Sequence, residues 1–431
     1  MIKKKILFTG PVSTRSGYGS RSRDFCRALI SIGHDVSIIP TRWGNTPMDV
    51  LTDSDTDLVS RVITSPDKIG DIDIHIQCTI PNEFRGVEGA FNIGLTAGIE
   101  TDSIPGEWIE GCNRMDLILV SSEHSKNVFL NTSYNKKDAR THNTIESVKV
   151  NVPVEVLFEG IDTNIFSVEN DNFTTEDIPD LINGIDEDFL FLFVGTWLNG
   201  ELGFDRKNIA GLIKAFLTEF SGDSEGDPAL LLKVSMASYS KPEKYKILKN
   251  INEIRRIVRE ESGIPHLALP NIYLLYGDFS DDDMNYLYNH EKVKAMVSFT
   301  RGEGYGRPLL EFTTTGKPVI APKWSGQLDF LHKKYNKFFG GRLYQIHPSV
   351  VNDWFTKDSK WFEVDHDNAK NLLGRVYYEH RKFIRGAKKQ KGYTIGKFTI
   401  NDMSDKIAEI INECTQVKTV KPLELPKKIN K

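Results

Sequence analysis

The sequence predicts an α/β protein built from two doubly wound halves. Short apolar segments alternate with amphipathic segments, and the alternation occurs twice, on either side of an acidic, aperiodic stretch at 167–187. An alternating strand–helix–strand order of this kind forms right-handed parallel units. The chain of 431 residues is long enough for two domains, because single cores stop growing at about 250 to 300 residues.

The first half opens with the apolar strand KKKILFTG and the helical segment SRSRDFCRALISIG, in which Phe25, Leu29 and Ile32 share one face. The remaining strands are predicted at HDVSIIP, DIDIHIQC, FNIGLTAG, DLILVSS and VEVLFEGID. We assign residues 1–170 to an N-terminal domain and 171–187 to a linker.

The second half repeats this order. FLFLFVG is its first strand, and the next segment, KNIAGLIKAFLTEF, places Ile209, Leu212 and Phe216 on one helical face. Further strands are predicted at ALLLKVSM, NIYLLYG, KAMVSF and KPVIAP, and further helices at EKYKILKNINEIRRIVREES, DDMNYLYNHE and RPLLEFTTTG. We assign residues 188–400 to a C-terminal domain.

Composition narrows the class of protein. A hydrophobic content of 39% and a net charge of −4 suit a globular protein without an overall attraction to nucleic acid or anionic lipid. The apolar run before Gly10 is too short for a secretion signal, and no stretch approaches the roughly 18 apolar residues that span a bilayer. The four cysteines are far apart and read as reduced thiols. We therefore expect a cytoplasmic protein without a structural metal.

The loop TGPVSTRSGYGSRSRDF places Gly17 and Gly19 just before the first helix. Backbone N–H groups there, together with the helix dipole, suit a phosphate or a sugar. A dinucleotide site and a structural turn are the alternatives. The dinucleotide fingerprint is incomplete, because the third glycine is missing and VSIIPTRW ends without the acidic residue that binds ribose.

Two further segments carry charge at the start of helices. Arg206 and Lys207 stand where cations oppose the helix dipole, so a bound anion such as a diphosphate explains them better than local stability does. A solvated pair is the alternative.

Asp281, Asp282 and Asp283 follow Ser280, and we interpret this group as a helix N-cap with favourable first-turn acids rather than a metal site.

The stretch SFTRGEGYGRPLLEFTTTG contains two glutamates, Glu303 in a glycine-rich turn and Glu311 in the helix that follows. A carboxylate in such a turn can accept hydrogen bonds from sugar hydroxyls, and one at the start of the helix can bind a ribose diol. Alternatively, Glu311 complements the helix dipole and Glu303 is a surface residue. Spacing alone leaves both interpretations open.

The stretch resembles the E-x7-E signature of retaining GT-B glycosyltransferases of family 4, the group 1 type. The continuation TTTGKPVIAPKWSGQLDFL is similar to that family's segment after the signature, and RKNIAGLIKAF is similar to its phosphate-binding helix. SGYGSRSRDFCRALISIGHDV resembles its N-terminal glycine loop, and VLFEGIDTNIF its crossover segment. The resemblance runs from about residue 6 to about residue 370.

The resemblance implies a GT-B fold, with two Rossmann-like domains facing a central cleft. The N-terminal domain would bind the acceptor, and the C-terminal domain would bind the nucleotide sugar. A helix at 401–416 would cross back to the first domain, and 417–431 would be a mobile tail.

The resemblance also implies roles for single residues. Glu303 would hold the hydroxyls of the donor sugar, and Lys207 with Arg206 would neutralise the leaving diphosphate. The other donor-binding residues would be Gly17, Gly19, Gly277, Asp278, Phe279, Gly304, Tyr305, Gly306 and Glu311, the last at the ribose. Two positions depart from the family. Thr196 stands where arginine is usual, so Arg206 would substitute for it, and Glu100-Thr101 replaces a histidine, so Glu100 would orient or deprotonate the acceptor.

The implied reaction transfers a sugar from a UDP- or GDP-sugar to an acceptor hydroxyl with retention, and it requires no cofactor or metal. A saccharide or glycoconjugate acceptor is expected. Residues 1–165 carry 17 basic against 22 acidic side chains, which does not favour membrane docking. Duplex DNA with hydroxymethylated cytosine, as in some bacteriophages, is an alternative acceptor, with basic clusters at Lys136, Lys137 and Arg140 and in HRKFIRGAKKQKGYTIGK. A non-catalytic nucleotide-sugar-binding protein is the remaining alternative.

Overall fold

The computed structural model describes residues 3–52, 55–65, 70–137, 144–198, 200–222 and 228–417. Within these ranges the chain forms two six-stranded sheets and two small two-stranded sheets. Every pairing inside the six-stranded sheets is parallel. The predicted architecture of two doubly wound α/β halves is confirmed.

The first half of the chain contains eight strands among the described residues. They are β1 (Lys5–Gly10), β2 (Asp35–Pro40), β3 (Ile74–Cys78), β4 (Phe91–Leu95), β5 (Leu117–Val120), β6 (Ser133–Lys137), β7 (Thr144–Lys149) and β8 (Val154–Val156). The first large sheet has the order β2-β1-β3-β4-β5-β8, and β6 and β7 form a separate antiparallel pair. The helices are α1 (Gly17–Ser31), α2 (Thr56–Val59), α3 (Gly106–Cys112) and α4 (Glu123–Asn131).

The second half repeats the arrangement. Its strands are β9 (Leu190–Thr196), β10 (Ala229–Ser235), β11 (Ile272–Leu275), β12 (Val293–Val297), β13 (Val319–Pro322), β14 (Lys337–Phe339), β15 (Gly341–Gln345) and β16 (Lys360–Val364). The second large sheet has the order β11-β10-β9-β12-β13-β14, and β15 pairs with β16 outside it. The helices are α5 (Ile178–Asn183), α6 (Ile209–Glu219), α7 (Lys241–Ser262), α8 (Asp281–Asn289), α9 (Arg307–Thr313), α10 (His366–Tyr378), α11 (His380–Ile395) and α12 (Ile400–Val417).

Burial of both sheet faces explains the composition of the central strands. Residues 190–193 of β9 and 229–232 of β10 are fully buried, and their sequences are uninterrupted apolar runs. Parallel strands covered by helices on both faces need side chains of this kind. The hydrophobic core of each half therefore lies on the two sides of its sheet.

Helix α12 crosses back to the first domain, as the resemblance implies. Its Met403, Ile407 and Ile411 are buried in the same cluster as Phe8 and Phe25 of the first half. The chain passes between the halves twice at one place. Ile161 and Thr399 form a bridge there, and the amide of Ile161 donates to Phe398 O over 2.8 Å.

The segment 171–187 packs on the second half of the chain. It contains α5, whose Ile178 and Ile182 are buried against the second sheet. The carboxylate of Asp283 accepts hydrogen bonds from the backbone amides of Thr174 and Thr175, at 2.7 and 2.9 Å. The domain limits given above stay a prediction, as does the mobile tail, since residues 418–431 lie outside the described residues.

Candidate active site

Four charged side chains from three loops form one cluster at the carboxyl ends of the two sheets. Lys207 Nζ donates to Glu303 Oε1 over 2.5 Å, and Arg206 Nη1 donates to Glu303 Oε2 over 3.1 Å. Arg206 Nε lies 3.5 Å from Glu100 Oε1, which belongs to the first domain. The four residues singled out from sequence as candidate catalytic groups are thus linked by three ion pairs in the order Glu100, Arg206, Glu303, Lys207.

The cluster is held in an environment with little water. The side chains of Arg206 and Lys207 are each 14% exposed, and that of Glu303 is 10% exposed. Burial by itself would raise the pKa of Glu303, but the charges of Lys207 and Arg206 outweigh it and lower the pKa to about 2. Burial lowers the pKa of Lys207, opposed by Glu303, and raises the pKa of Glu100. Glu303 is therefore a fixed anion between two cations.

The two cations stand at the amino end of α6, as predicted. Asn208 caps this helix with a left-handed backbone, φ 51°, and no side-chain cap bond. Cations at a helix amino terminus are electrostatically unfavourable. Their position is compensated by Glu303 of the same half and by Glu100 of the first domain, and the same two positive charges would compensate a bound diphosphate.

The glycine-rich loop after β12 packs directly against the first domain. A Cβ at Gly302 would lie 1.9 Å from the carbonyl oxygen of Glu100, and one at Gly304 would lie 2.1 Å from that of Ala97. The hydroxyl of Ser121 donates to Gly304 O over 3.1 Å. No side chain fits at these two positions while the domains are in contact, so the glycines permit closure.

Substitution of Gly302 by alanine should therefore hold the cleft open. We expect kcat/KM to fall about a hundredfold, because small displacements of catalytic groups have effects of that size. The radius of gyration with UDP bound, measured by small-angle X-ray scattering, should exceed that of the wild type. Gly392→Ala is the matched control, since a Cβ there meets open space. An alanine variant at Gly302 that is compact and active would contradict this explanation.

Glu311 lies in the first turns of α9, as expected. Its partner Arg307 also contacts the first domain. Arg307 Nε donates to Glu311 Oε1 over 3.0 Å and Arg307 Nη1 donates to Asp24 Oδ2 over 2.6 Å. Tyr288 also donates its hydroxyl to Glu311 over 3.2 Å. Burial raises the pKa of Glu311 to about 7, because Arg307 offsets the desolvation only in part.

This pKa predicts a pH-dependent donor affinity. In the role that the resemblance implies, the ionised carboxylate of Glu311 would accept hydrogen bonds from the donor ribose, and about nine-tenths of Glu311 is protonated one pH unit below its pKa. We expect the KM for the donor to rise about tenfold as the pH falls from 8 to 6. Steady-state kinetics at fixed ionic strength measure this change. Glu311→Gln should flatten the profile, and an unchanged slope in that variant would assign the titration to another group.

The loop before α1 differs in detail from the expectation. Gly17 and Gly19 were predicted to precede the helix, but α1 begins at Gly17, so both lie in its first turn. The reason is Ser16, whose hydroxyl accepts the Gly19 amide over 3.0 Å as an N-cap. That amide is engaged by the cap, which leaves the earlier amides of the turn as the candidate phosphate contacts.

The remaining predicted donor residues lie in the loops that follow β11 and β12. Gly306 has φ 102° at the start of α9, and the side chain of Tyr305 is buried. Asp278 forms an ion pair with Arg15 of the first domain. Gly277 and Phe279 adjoin Asp278, close to Asp281, whose charge acts on Glu311. Ser280 and Asp283 form a capping box, which confirms the helix-cap interpretation of that acidic group.

Sequence reasoning missed Lys233. This lysine on β10 is buried, and its Nζ donates to Gly277 O over 2.6 Å and lies 4.5 Å from the centre of the Phe279 ring. Burial lowers its pKa to about 8. The sequence feature that could have indicated Lys233 is the single cation inside the apolar run ALLLKVSM. Lys233 thus holds in place the segment 277–279, whose residues the resemblance implies as donor-binding.

Two features are absent from the part of the chain that the structure describes. No group of three or more His, Cys, Asp or Glu side chains in the described ranges is arranged to hold a metal ion. No helix in those ranges has the length and hydropathy needed to cross a membrane.

Comparison with solved structures identifies the fold. The chain superposes on Anabaena HepE in complex with UDP-glucose with a TM-score of 0.61 and 14% identity, covering 95% of this chain and 100% of that one. The fold is GT-B. Sucrose-phosphate synthase from Thermosynechococcus elongatus gives 0.59 and 12%, covering 96% and 100%. A glycosyltransferase from Rickettsia africae gives 0.60 and 14%, also covering 96% and 100%. No protein-family model and no curated protein sequence matches the chain.

Proposed function

We propose that this protein is a retaining glycosyltransferase that moves a sugar from a nucleoside-diphosphate sugar to an acceptor hydroxyl. The observation that carries the proposal is the cluster in which Glu303 is held between Lys207 and Arg206 in a cleft between two Rossmann-like domains. HepE, which shares the fold, has been solved with UDP-glucose, and this supports a UDP-sugar as the donor.

The leaving group determines the role of the two cations. Departure of the nucleoside diphosphate places negative charge on a phosphate oxygen, and fixed positive charge in a dry site stabilises it. Lys207 and Arg206 supply that charge at the amino end of α6. We therefore propose that these residues do the work that a divalent cation does in other transferases, and that turnover persists in EDTA.

Glu303 and Glu311 would position the donor. Glu303 is ionised over the working pH range, so it can accept hydrogen bonds from hydroxyls of the sugar. Glu311 would accept those of the ribose, and the amides of Gly304, Tyr305 and Gly306 would complete the donor site. The acceptor proton passes to the departing phosphate oxygen on the same face of the sugar, so no enzyme nucleophile is needed. Contact between the domains at Gly302 and Gly304 excludes the water that would hydrolyse the donor.

Glu100 lies at the acceptor side of this cluster. It reaches Arg206 from the first domain, and burial raises its pKa. A carboxylate with that placement suits the orientation of an acceptor hydroxyl. We propose a saccharide or glycoconjugate as the acceptor.

The DNA alternative receives little support from the placement of the basic residues. Helix α11 carries most of the basic segment HRKFIRGAKKQKGYTIGK. Its first residue, His380, contacts Lys294 O at the amino end of β12 over 3.0 Å. Glu303 follows the carboxyl end of the same strand, so α11 begins at the opposite end of the sheet from the cleft. The other cluster, Lys136, Lys137 and Arg140, falls on side chains outside the described residues.

The test is product mass after incubation, in buffer with EDTA, with a panel of UDP- and GDP-sugars and two acceptor pools. The pools are oligosaccharides and duplex DNA containing hydroxymethylcytosine. A mass gain on a saccharide, with a retained anomeric configuration by NMR, is the expected result. A mass gain on DNA alone would show that the acceptor is DNA and not a saccharide. Tight donor binding without hydrolysis or transfer would favour the non-catalytic alternative.

A further inference from the structure

The hairpin of β15 and β16 belongs to neither large sheet, yet it joins the two domains. Its strand β16 exchanges two bonds with the first domain, Asp102 N to Lys360 O over 2.9 Å and Lys360 N to Asp102 Oδ1 over 2.7 Å. The hydroxyls of Ser103 and Ser359 lie 2.9 Å apart. The hairpin is therefore fixed against the segment that carries Glu100.

The connection between β15 and β16 is folded rather than loose. Its Ile346, Val350 and Phe355 are buried in one cluster with Ile99 and Ile104 of the first domain. Such packing gives the connection a defined position beside the catalytic cluster.

A cavity of about 180 Å³ lies between this connection and the charged cluster. Its lining combines an arginine and a carboxylate on one side with aromatic and amide side chains on the other. The residues that matter here are Glu100, Arg206, Asn352, Trp354, Phe355 and Trp361. Glu100 and Arg206 thus belong to the charged cluster and also line this cavity.

Trp354 is presented to the cavity by a local turn. Asn352 Oδ1 accepts the backbone amides of both Trp354 and Phe355 over 2.8 Å, and Asn352 N donates to Phe355 O over 3.1 Å. Trp354 is 41% exposed although large apolar side chains favour burial. A tryptophan that is held by its backbone and remains partly uncovered offers a ring face for a ligand.

We propose that this cavity is the acceptor subsite and takes one sugar ring of a saccharide. The inference rests on the proposed transferase function and deepens it. A sugar ring has an apolar C–H face, which would pack on Trp354, and hydroxyl edges, which suit Glu100, Arg206 and the amide of Asn352. The acceptor oxygen forms the new bond to the anomeric carbon while the bond to the phosphate oxygen breaks. The acceptor proton passes to that phosphate oxygen.

The charge around the cavity favours a neutral acceptor. Asp102 and Asp358 both act electrostatically on Tyr134, Asp353 precedes Trp354, and the amide of Glu201 donates to Ser349 in the same connection. The neighbouring cations in this part of the hairpin are Lys357 and Lys360. A duplex bound here would need cations to neutralise its phosphates. Carboxylates in the segments that adjoin the cavity disfavour an anionic ligand, so a neutral saccharide suits it better.

The experiment compares Trp354→Ala with the wild type, using methyl glucoside, methyl galactoside and methyl mannoside as acceptor probes. The donor is the nucleotide sugar that the wild type hydrolyses or transfers. We expect the acceptor KM to rise at least tenfold, while donor KM and the slow hydrolysis of donor without acceptor stay within twofold. Trp354→Phe should recover most of the affinity. Tyr245→Ala, at a 71% exposed aromatic on α7, is the matched control.

Each outcome decides between the claims. If the folded Trp354→Ala variant transfers sugar normally and its acceptor KM is unchanged, the proposed acceptor subsite is wrong. The proposed transferase function would still stand. A tenfold loss of donor affinity as well would place Trp354 in the donor site and also overturn the subsite. Absence of both hydrolysis and transfer in the wild type overturns the transferase and with it the subsite. Transfer to hydroxymethylcytosine DNA and to none of the glycosides overturns the saccharide subsite and leaves the transferase intact.

Discussion

Lys207→Ala is expected to lower kcat by about a hundred- to a thousandfold, the usual effect of removing one group that stabilises charge in a transition state. Lys207 Nζ lies 2.5 Å from Glu303 in a buried cluster, so its charge acts where little water competes. Donor affinity should fall much less than kcat, because the charge on the leaving phosphate grows during the reaction. Single-turnover kinetics and calorimetric binding of UDP measure the two effects separately.

The control for this variant lies on the same helix. Lys214 of α6 pairs with Glu261 at an exposed position, and Lys214→Ala should keep kcat within twofold. A Lys207→Ala enzyme that retains kcat but binds donor poorly would show that Lys207 serves binding alone. Arg206 would then be the group that stabilises the leaving charge.

Glu303→Gln should lower kcat by about a hundredfold and destabilise the protein without nucleotide. The substitution keeps the shape but removes the negative charge between two buried cations, and breaking a buried pair costs about 3 to 5 kcal/mol. A diphosphate restores negative charge beside Lys207 and Arg206. We therefore expect UDP to raise the Tm of the variant by more than it raises that of the wild type, as measured by thermal unfolding with and without UDP.

Glu253→Gln provides the comparison for this variant. Glu253 is an exposed carboxylate on α7 that pairs with Arg256, and its replacement should change neither kcat nor the response of Tm to UDP. If UDP stabilised Glu303→Gln less than the wild type, Glu303 would bind nucleotide directly instead of holding the cations. A protein without turnover in the wild type would leave only the change in Tm, as expected for a pure binder.

Local patterns in the sequence were sufficient for most of the fold. The apolar runs of β9 and β10 have fully buried residues, and the serine and acids at the start of α8 form the expected cap, because both features depend on neighbours in sequence. The start of α1 was placed too late, since Ser16 caps the helix and offsets the low helix propensity of Gly17 and Gly19.

The parts of the site that sequence did not predict depend on distant contacts. Lys233 reaches Gly277 across 44 positions, and Arg307 reaches Asp24 across 283. The β15–β16 hairpin was not predicted, because its order comes from packing against Asp102 and Ser103 of the other domain. The site residues themselves stay predictions, with a structural arrangement that supports them.

Helix α12 has a consequence for the order in which the chain matures on the ribosome. The first domain completes its core only with Met403, Ile407 and Ile411, which are synthesised about 250 residues after β8. At roughly 5 to 20 residues per second this interval lasts about 12 to 50 s. During that time the nascent first domain carries an uncovered apolar groove beside α1. The second domain can therefore fold before the first is finished, and a chain that stops before residue 400 would leave this part of the first domain's core uncovered.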